Sequence, residues 1–246
     1  MTEPRIVVGT PDGRKPDLSH VDTWVFDLDN TLYSPAACDL FVHMDRRMNQ
    51  FIAEYLKLDE AQAAHVRQTY FKSYGTTLRG LMEVYDVPPG VFLEYVHELD
   101  LSEMVHDPAL DRAIARLPGR KLIFTNATER HACNVLDRLG IAHHFEGIFD
   151  VAAAGYVPKP QVEAYEAFVK RHAIDPATSV FFEDTARNLA PAAALGMTTV
   201  WIKTDRPHGQ MTEGDDFIHH VVDELSDWLH ALEFAVAEVA DRAEGG

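Results

Sequence analysis

Between Trp24 and Tyr33 the chain reads WVFDLDNTLY, an apolar run that ends in two carboxylates, Asp27 and Asp29. In extended chain, residues i and i+2 point to the same side, so both acids can converge on one point. Two carboxylates that close repel unless one is protonated or a cation lies between them. Asp-Asn-Thr is also common turn material, so a turn or capping pair and a metal or catalytic site are both open here. A calcium loop fails, because Leu32 stands where glycine is required and Cys38 where glutamate is required. No GxxxxGK[ST] phosphate loop occurs either.

Three later stretches bear on the choice. LIFTNA ends with Thr125 and Asn126, a hydroxyl and an amide able to bind phosphoryl oxygens. GYVPKP sets Lys159 between two prolines, which restrict the backbone and help to aim one ammonium. VFFEDTARN supplies a second acidic pair, Glu183 and Asp184, followed by Asn188. Singly, Thr125 reads as a helix N-cap and Lys159 as a solvated loop lysine. Together, two acidic pairs, a hydroxyl and a lysine resemble a magnesium-dependent phosphoryl-transfer site.

The elements that must position these groups follow from hydrophobic period. Short β-branched or aromatic runs at 23–26, 121–125, 148–151, 179–182 and 198–202 read as strands. Between them, 129–139, 161–172 and 186–195 have helical spacing, the pattern of an α/β protein with a parallel sheet flanked by helices. In open sheets of this kind ligands bind beyond the carboxyl ends of the strands, where all four stretches fall. From about residue 34 to 106 the runs are helical only, which predicts four helices inserted after the first strand. Near the C-terminus, 223–242 carries an apolar stripe expected to pack on the sheet, and DRAEGG is expected to fray.

Composition narrows the partners. A net charge of −17 repels a polyphosphate backbone, which argues against DNA or RNA. A small anionic substrate remains compatible if a metal and a cation reverse the local field. Cys38 and Cys133 are far apart and form no CxxC, so neither a disulfide framework nor a zinc ribbon is expected. The pairs His143-His144 and His219-His220 lack HExxH spacing and read as surface or structural. No apolar stretch nears the ~18 residues of a membrane helix, and the N-terminus, broken by proline and charge, reads as no secretory signal. A cytoplasmic location is expected.

DxDxT after an apolar strand, then Thr125, Lys159 and the Glu183-Asp184 pair, in that order, resemble the four-motif signature of the haloacid dehalogenase superfamily over residues 22–202. The resemblance implies a Rossmann-like core over 1–33 and 107–246 with an α-helical C1 cap over 34–106. It makes Asp27 the nucleophile of an aspartyl-phosphate intermediate and Asp29 the acid that protonates the leaving oxygen. Mg²⁺ is implied on Asp27, Asp184 and the main-chain carbonyl of Asp29, with Glu183 direct or through water. Thr125 and Lys159 are implied on the phosphoryl oxygens. A dehalogenase does not need the acid at Asp29, so the implied activity is a phosphatase.

The stretch YFKSYGTTLRGL, residues 70–81, resembles the cap loop of the pyrimidine 5′-nucleotidase branch. That likeness puts Tyr70, Phe71 or Tyr74 against a base, Arg79 on an anionic or carbonyl group, and Asn126 beside the substrate. The substrate is then a small phosphorylated metabolite, a nucleoside monophosphate before others. Glu183-Asp184 departs from the paired aspartates of many relatives and is shared with β-phosphoglucomutase-like enzymes, so such a sugar-phosphate mutase, or another small-molecule phosphatase, is the alternative. A binding module without catalysis is a third reading.

Overall fold

The computed structural model describes residues 17–34, 38–204 and 216–232. Its elements run β1 (Thr23–Phe26), α1 (Leu40–Leu56), α2 (Glu60–Tyr74), α3 (Thr77–Tyr85), α4 (Pro89–Val96), α5 (Pro108–Ala115), β2 (Arg120–Phe124) and α6 (Glu129–Leu139). They continue with β3 (Gly147–Phe149), α7 (Val162–His172), β4 (Ser179–Glu183), α8 (Leu189–Leu195), β5 (Thr198–Ile202), β6 (His220–Val222) and α9 (Leu225–Ala231).

All neighbouring strands pair in parallel, in the order β3-β2-β1-β4-β5-β6. Strand period 2 sends Trp24, Phe26, Ile123, Val180 and Phe182 to one face, where they pack with α5, α6 and α9. Val25, Leu122, Phe124, Phe181 and Trp201 take the other face, under α7 and α8. A parallel sheet covered on both faces explains why its strands read as continuous apolar runs. Phe26 and Phe182 stack across β1 and β4 at 4.7 Å. Chain order reverses between these two central strands, which opens a crevice beyond their carboxyl ends.

The expected strands lie within two residues of the observed ones, and two differences have local causes. β3 stops at Phe149 because Asp150 turns the chain, accepting from the Glu129 and Ala153 amides at 2.9 and 2.8 Å. β6, unexpected from sequence, is three residues long, too short for a period-2 pattern to stand out. Residues 186–195 divide into a 3-10 turn and α8. Within the C-terminal stripe, Leu225 and Leu229 are buried against the sheet; residues 233–242, like DRAEGG, lie outside the described residues.

Helices α1–α4 occupy residues 40–96, and their buried side chains are continuous with one face of the sheet. A capping box of Asp59 and Gln62 starts α2. Gly75 ends it at φ 84, a conformation that costs glycine little, and Thr76 caps α3 directly afterwards. This tight corner faces the crevice. Among the described residues no helix is long and apolar enough to cross a membrane.

Candidate active site

Asp27 follows β1 directly, and its amide extends the ladder to Phe182 O at 2.9 Å. That bond fixes the carboxylate over the switch point. Lys159 reaches it from the loop before α7: Nζ donates to Asp27 Oδ1 (2.7 Å), Glu183 Oε2 (2.7 Å) and Phe124 O (2.8 Å). An ammonium has three N–H groups, so all are engaged on protein. Thr31 Oγ1 donates to Asp27 Oδ2 at 3.1 Å, which orients the other oxygen. Burial first, and then the charge of Glu183, push Asp27 up to about 7 against the pull of Lys159.

Asp27, Glu183 and Asp184 form a buried cluster whose carboxylate oxygens lie within 4.8 Å of one another. Lys159 serves two of the three; Asp184 has the neutral donors Asn30 Nδ2 (3.4 Å) and Thr185 Oγ1 (3.3 Å). Burial and the charges of Glu183 and Asp27 hold Asp184 well above its ordinary range. Asn30 Oδ1 and Asn188 Oδ1 are buried acceptors without a partner among the described residues. An all-oxygen donor set, surplus negative charge and acceptors suited to coordinated water fit a hard divalent cation. Glu183, expected at the metal directly or through water, has Oε2 on Lys159 and Oε1 on the Thr185 amide at 3.1 Å.

A carboxylate whose folded pKa lies above its ordinary 3.8 binds its proton more tightly when folded. Without metal, that contribution to stability is therefore lost as pH rises from about 4 through about 7. A cation competing with those protons recovers it. The melting-temperature gap between Mg²⁺ and EDTA samples should widen across that window. A gap absent or constant with pH would remove the metal from this cluster.

Asp29 takes a separate environment. Oδ1 accepts from Tyr33 Oη at 2.7 Å and lies 2.9 Å from His131 Nε2. Burial alone would raise this carboxyl, but the His131 charge and hydrogen bond, with that of Tyr33, hold it below its usual range. Its side chain is not in the three-acid cluster. The His131 ring stacks on His97 at 4.7 Å, and His97 Nδ1 lies 3.3 Å from Thr128 Oγ1. Burial, then the His131 charge, push His97 down to about 3, so it stays neutral beside the Asp29–His131 contact. Sequence reasoning passed over His131, although one signal was present. It shares the buried stripe of α6 with Val135 and Leu139, four and eight residues on.

The cavity over these groups is lined from the core by Thr125, Asn126 and Arg187, and from the inserted helices by Phe71 and Arg79. Thr125 Oγ1 accepts from the Ala127 amide at 3.0 Å, and its own hydrogen has no acceptor among the described residues. Asn126 has a task other than the expected substrate contact. Its amide brackets the Lys159 main chain, Oδ1 accepting at 2.8 Å and Nδ2 donating at 3.2 Å. Arg79 reaches the cavity wall while paired with Glu83, four residues on, at 2.5 Å.

Tyr74, expected against the substrate, lies elsewhere. It is exposed, packs edge-on against Tyr70 at 5.5 Å, and does not line the cavity. Tyr70 and Tyr74, four residues apart, form one ridge of α2 beside Tyr85, whereas Phe71 sits a hundred degrees around the helix. Arg187, also passed over, holds its guanidinium 5.2 Å over the Phe71 ring and donates to Gly75 O at 3.3 Å. A cation from the sheet edge thereby grips the α2–α3 corner.

A family profile described as a hydrolase, haloacid dehalogenase-like hydrolase, matches residues 21–196. Phosphate metabolism protein 8 of Saccharomyces cerevisiae is 26% identical over 190 residues, covering 70% of this chain and 58% of the yeast protein. The chain thus spans less than two thirds of that relative. An HAD phosphatase from Thermococcus onnurineus shares the fold at TM-score 0.57 and 14% identity, over 82% of this chain and 93% of that one. L-2-haloacid dehalogenase from Xanthobacter autotrophicus does so at 0.52 and 13%, over 85% and 97%. At such identities the solved structures speak for the fold alone.

Proposed function

From the premise that the chain belongs to the haloacid dehalogenase-like hydrolases, we propose that it is a Mg²⁺-dependent phosphatase of small phosphate monoesters. A nucleoside monophosphate is the favoured substrate. The carrying observation is that Asp29 stands beside Asp27 with its own proton partner, His131, 2.9 Å away. Displacing halide calls for a nucleophile and no acid; expelling an alcohol calls for both.

Asp27, held by Lys159 and Thr31, attacks phosphorus as the ester oxygen departs with a proton from the Asp29–His131 pair. A water then loses its proton to Asp29 and attacks the aspartyl-phosphate, which releases phosphate and restores Asp27. Thr125 donates to a phosphoryl oxygen. Lys159, engaged on Asp27 and Glu183, orients the nucleophile. Asp27, Asp184 and the Asp29 carbonyl would hold Mg²⁺, which when bound would supply charge neutralisation for the phosphoryl oxygens.

Residues 34–106 act in this reading as the cap over a core of 1–33 and 107–246. Its wall of the cavity includes Phe41, Met44, Met48, Phe92, Leu93 and Val96. Such a surface suits a leaving group that carries a flat, weakly polar base better than a sugar ring rich in hydroxyls alone. That favours a nucleotide over the β-phosphoglucomutase-like alternative, which rests on Glu183-Asp184. Arg79 and Phe71 are the candidates for holding the base.

The test is kcat/KM over UMP, CMP, AMP, phosphoglycolate and glucose phosphates with Mg²⁺. Preference for glucose phosphates would move the assignment to the mutases, and no turnover of any ester would make the chain a binding module. Asp29→Asn should lose about 10²–10⁴-fold on UMP and far less on p-nitrophenyl phosphate, whose leaving group departs without a proton. Equal losses on both esters would take the acid role from Asp29.

A further inference from the structure

Away from the cavity, three imidazoles converge on one carboxylate. Asp111, in the first turn of α5, lies 2.6 Å from His144 Nε2, 3.6 Å from His143 Nε2 and 3.7 Å from His106 Nε2. Ligand atoms of Asp111, His143 and His144 all fall within 4.8 Å of one another. In sequence the histidine pair reads as surface; folding brings it together with residues 30 to 40 positions earlier. His106 belongs to the segment that leads from α4 to α5, and the pair follows α6.

Backbone features hold each member in place. The His106 ring rests on Gly140, where an added Cβ would meet its Cδ2 at 2.4 Å. The next residue, Asp107, bonds through its amide to Leu139 O at 3.3 Å, and its side chain caps α5. His144 is only 11% exposed in its side chain, and the His143 and His144 rings approach to 3.9 Å. The His144 hydrogen bond, helped by the charges of the histidines, keeps Asp111 below its usual range and hence ionised.

We propose that Asp111, His143 and His144 form a second metal site, selective for a borderline transition ion such as Zn²⁺. Imidazole nitrogens with one carboxylate suit zinc, whereas Mg²⁺ requires a shell of oxygens. A tetrahedral zinc with ligands at about 2.0–2.1 Å has edges of about 3.3 Å. The 3.6 Å separation is near that value, and the 2.6 Å contact opens when the metal replaces the shared proton. Three protein ligands leave one position for water, and His106, 3.7 Å from the second Asp111 oxygen, steadies that carboxylate from outside the ligand set. The ion ties α5 to the segment that follows α6.

The experiment is calorimetric titration of Zn²⁺ into the full chain, free of any histidine tag and stripped with EDTA. Wild type, His143→Ala, His106→Ala and Asp184→Asn are compared. One equivalent should bind to wild type and Asp184→Asn alike and resist excess Mg²⁺. It should weaken about tenfold or more in each histidine variant, since losing even an outer-shell partner costs that much. His143 and His106 are exposed, so both variants keep the fold, which circular dichroism verifies. Absent binding, equal binding in the histidine variants, or loss in Asp184→Asn alone would each overturn the proposal.

Discussion

Asp27→Asn should lower turnover by about 10⁴-fold or more while leaving the melting temperature at or above that of wild type. Both halves have one cause. The Asp27 carboxylate is buried beside Glu183, and burial with that like charge pushes its pKa up to about 7. Asparagine keeps the shape and an oxygen for Lys159 Nζ, so the ammonium stays bonded to Glu183 and Phe124 O. What disappears is the attacking charge and the repulsion it brought. The measurement pairs phosphate release on UMP with a melting curve in EDTA. Activity above about a hundredth of wild type would rule out Asp27 as the covalent nucleophile.

Lys159→Met is the most disruptive single change expected. It strands two buried carboxylates that now share one ammonium at 2.7 Å each. Breaking a buried pair from one side costs about 3–5 kcal/mol, a fall in melting temperature on the order of 10 °C for a chain of this size. The same group orients the nucleophile, so turnover should vanish with it. Adding Glu183→Gln separates the two roles: the double variant removes a stranded charge and should regain much of the stability, but none of the turnover. The stability loss should also shrink at low pH, where the stranded acids take up protons. Unchanged melting of Lys159→Met at neutral pH would mean that the pair contributes nothing to the fold.

The sequence by itself determined five strands of the sheet and the groups at its edge. Apolar runs of strand length, each ended by a polar residue, place Asp27, Thr125, Glu183 and Asp184 on strand ends because period and length are local properties. A parallel α/β topology then gathers strand ends at one edge. The four inserted helices were legible for the same reason, since apolar spacing and caps are written within a few turns of chain.

Contacts between distant segments were decided by the tertiary structure alone. Asp27 and Lys159 are 132 residues apart, and Asp29 and His131 are 102 apart. No local pattern says that the first acid meets a lysine while the second meets a histidine, although the two acids stand two residues apart. The split arises because Asp27 stays on the β4 ladder, whereas Asn30, at φ 61, turns the chain after Asp29. Facing within a helix was likewise ambiguous in YFKSY: packing of α2 on α3 turned Tyr70 and Tyr74 toward Tyr85 and left Phe71 to the cavity. Asp111 and its three histidines show the same limit, for they lie on separate segments whose approach is set by how α5 and α6 cover the sheet. Periodicity fixes which residues leave the core, and only the packing of whole elements decides which of them meet.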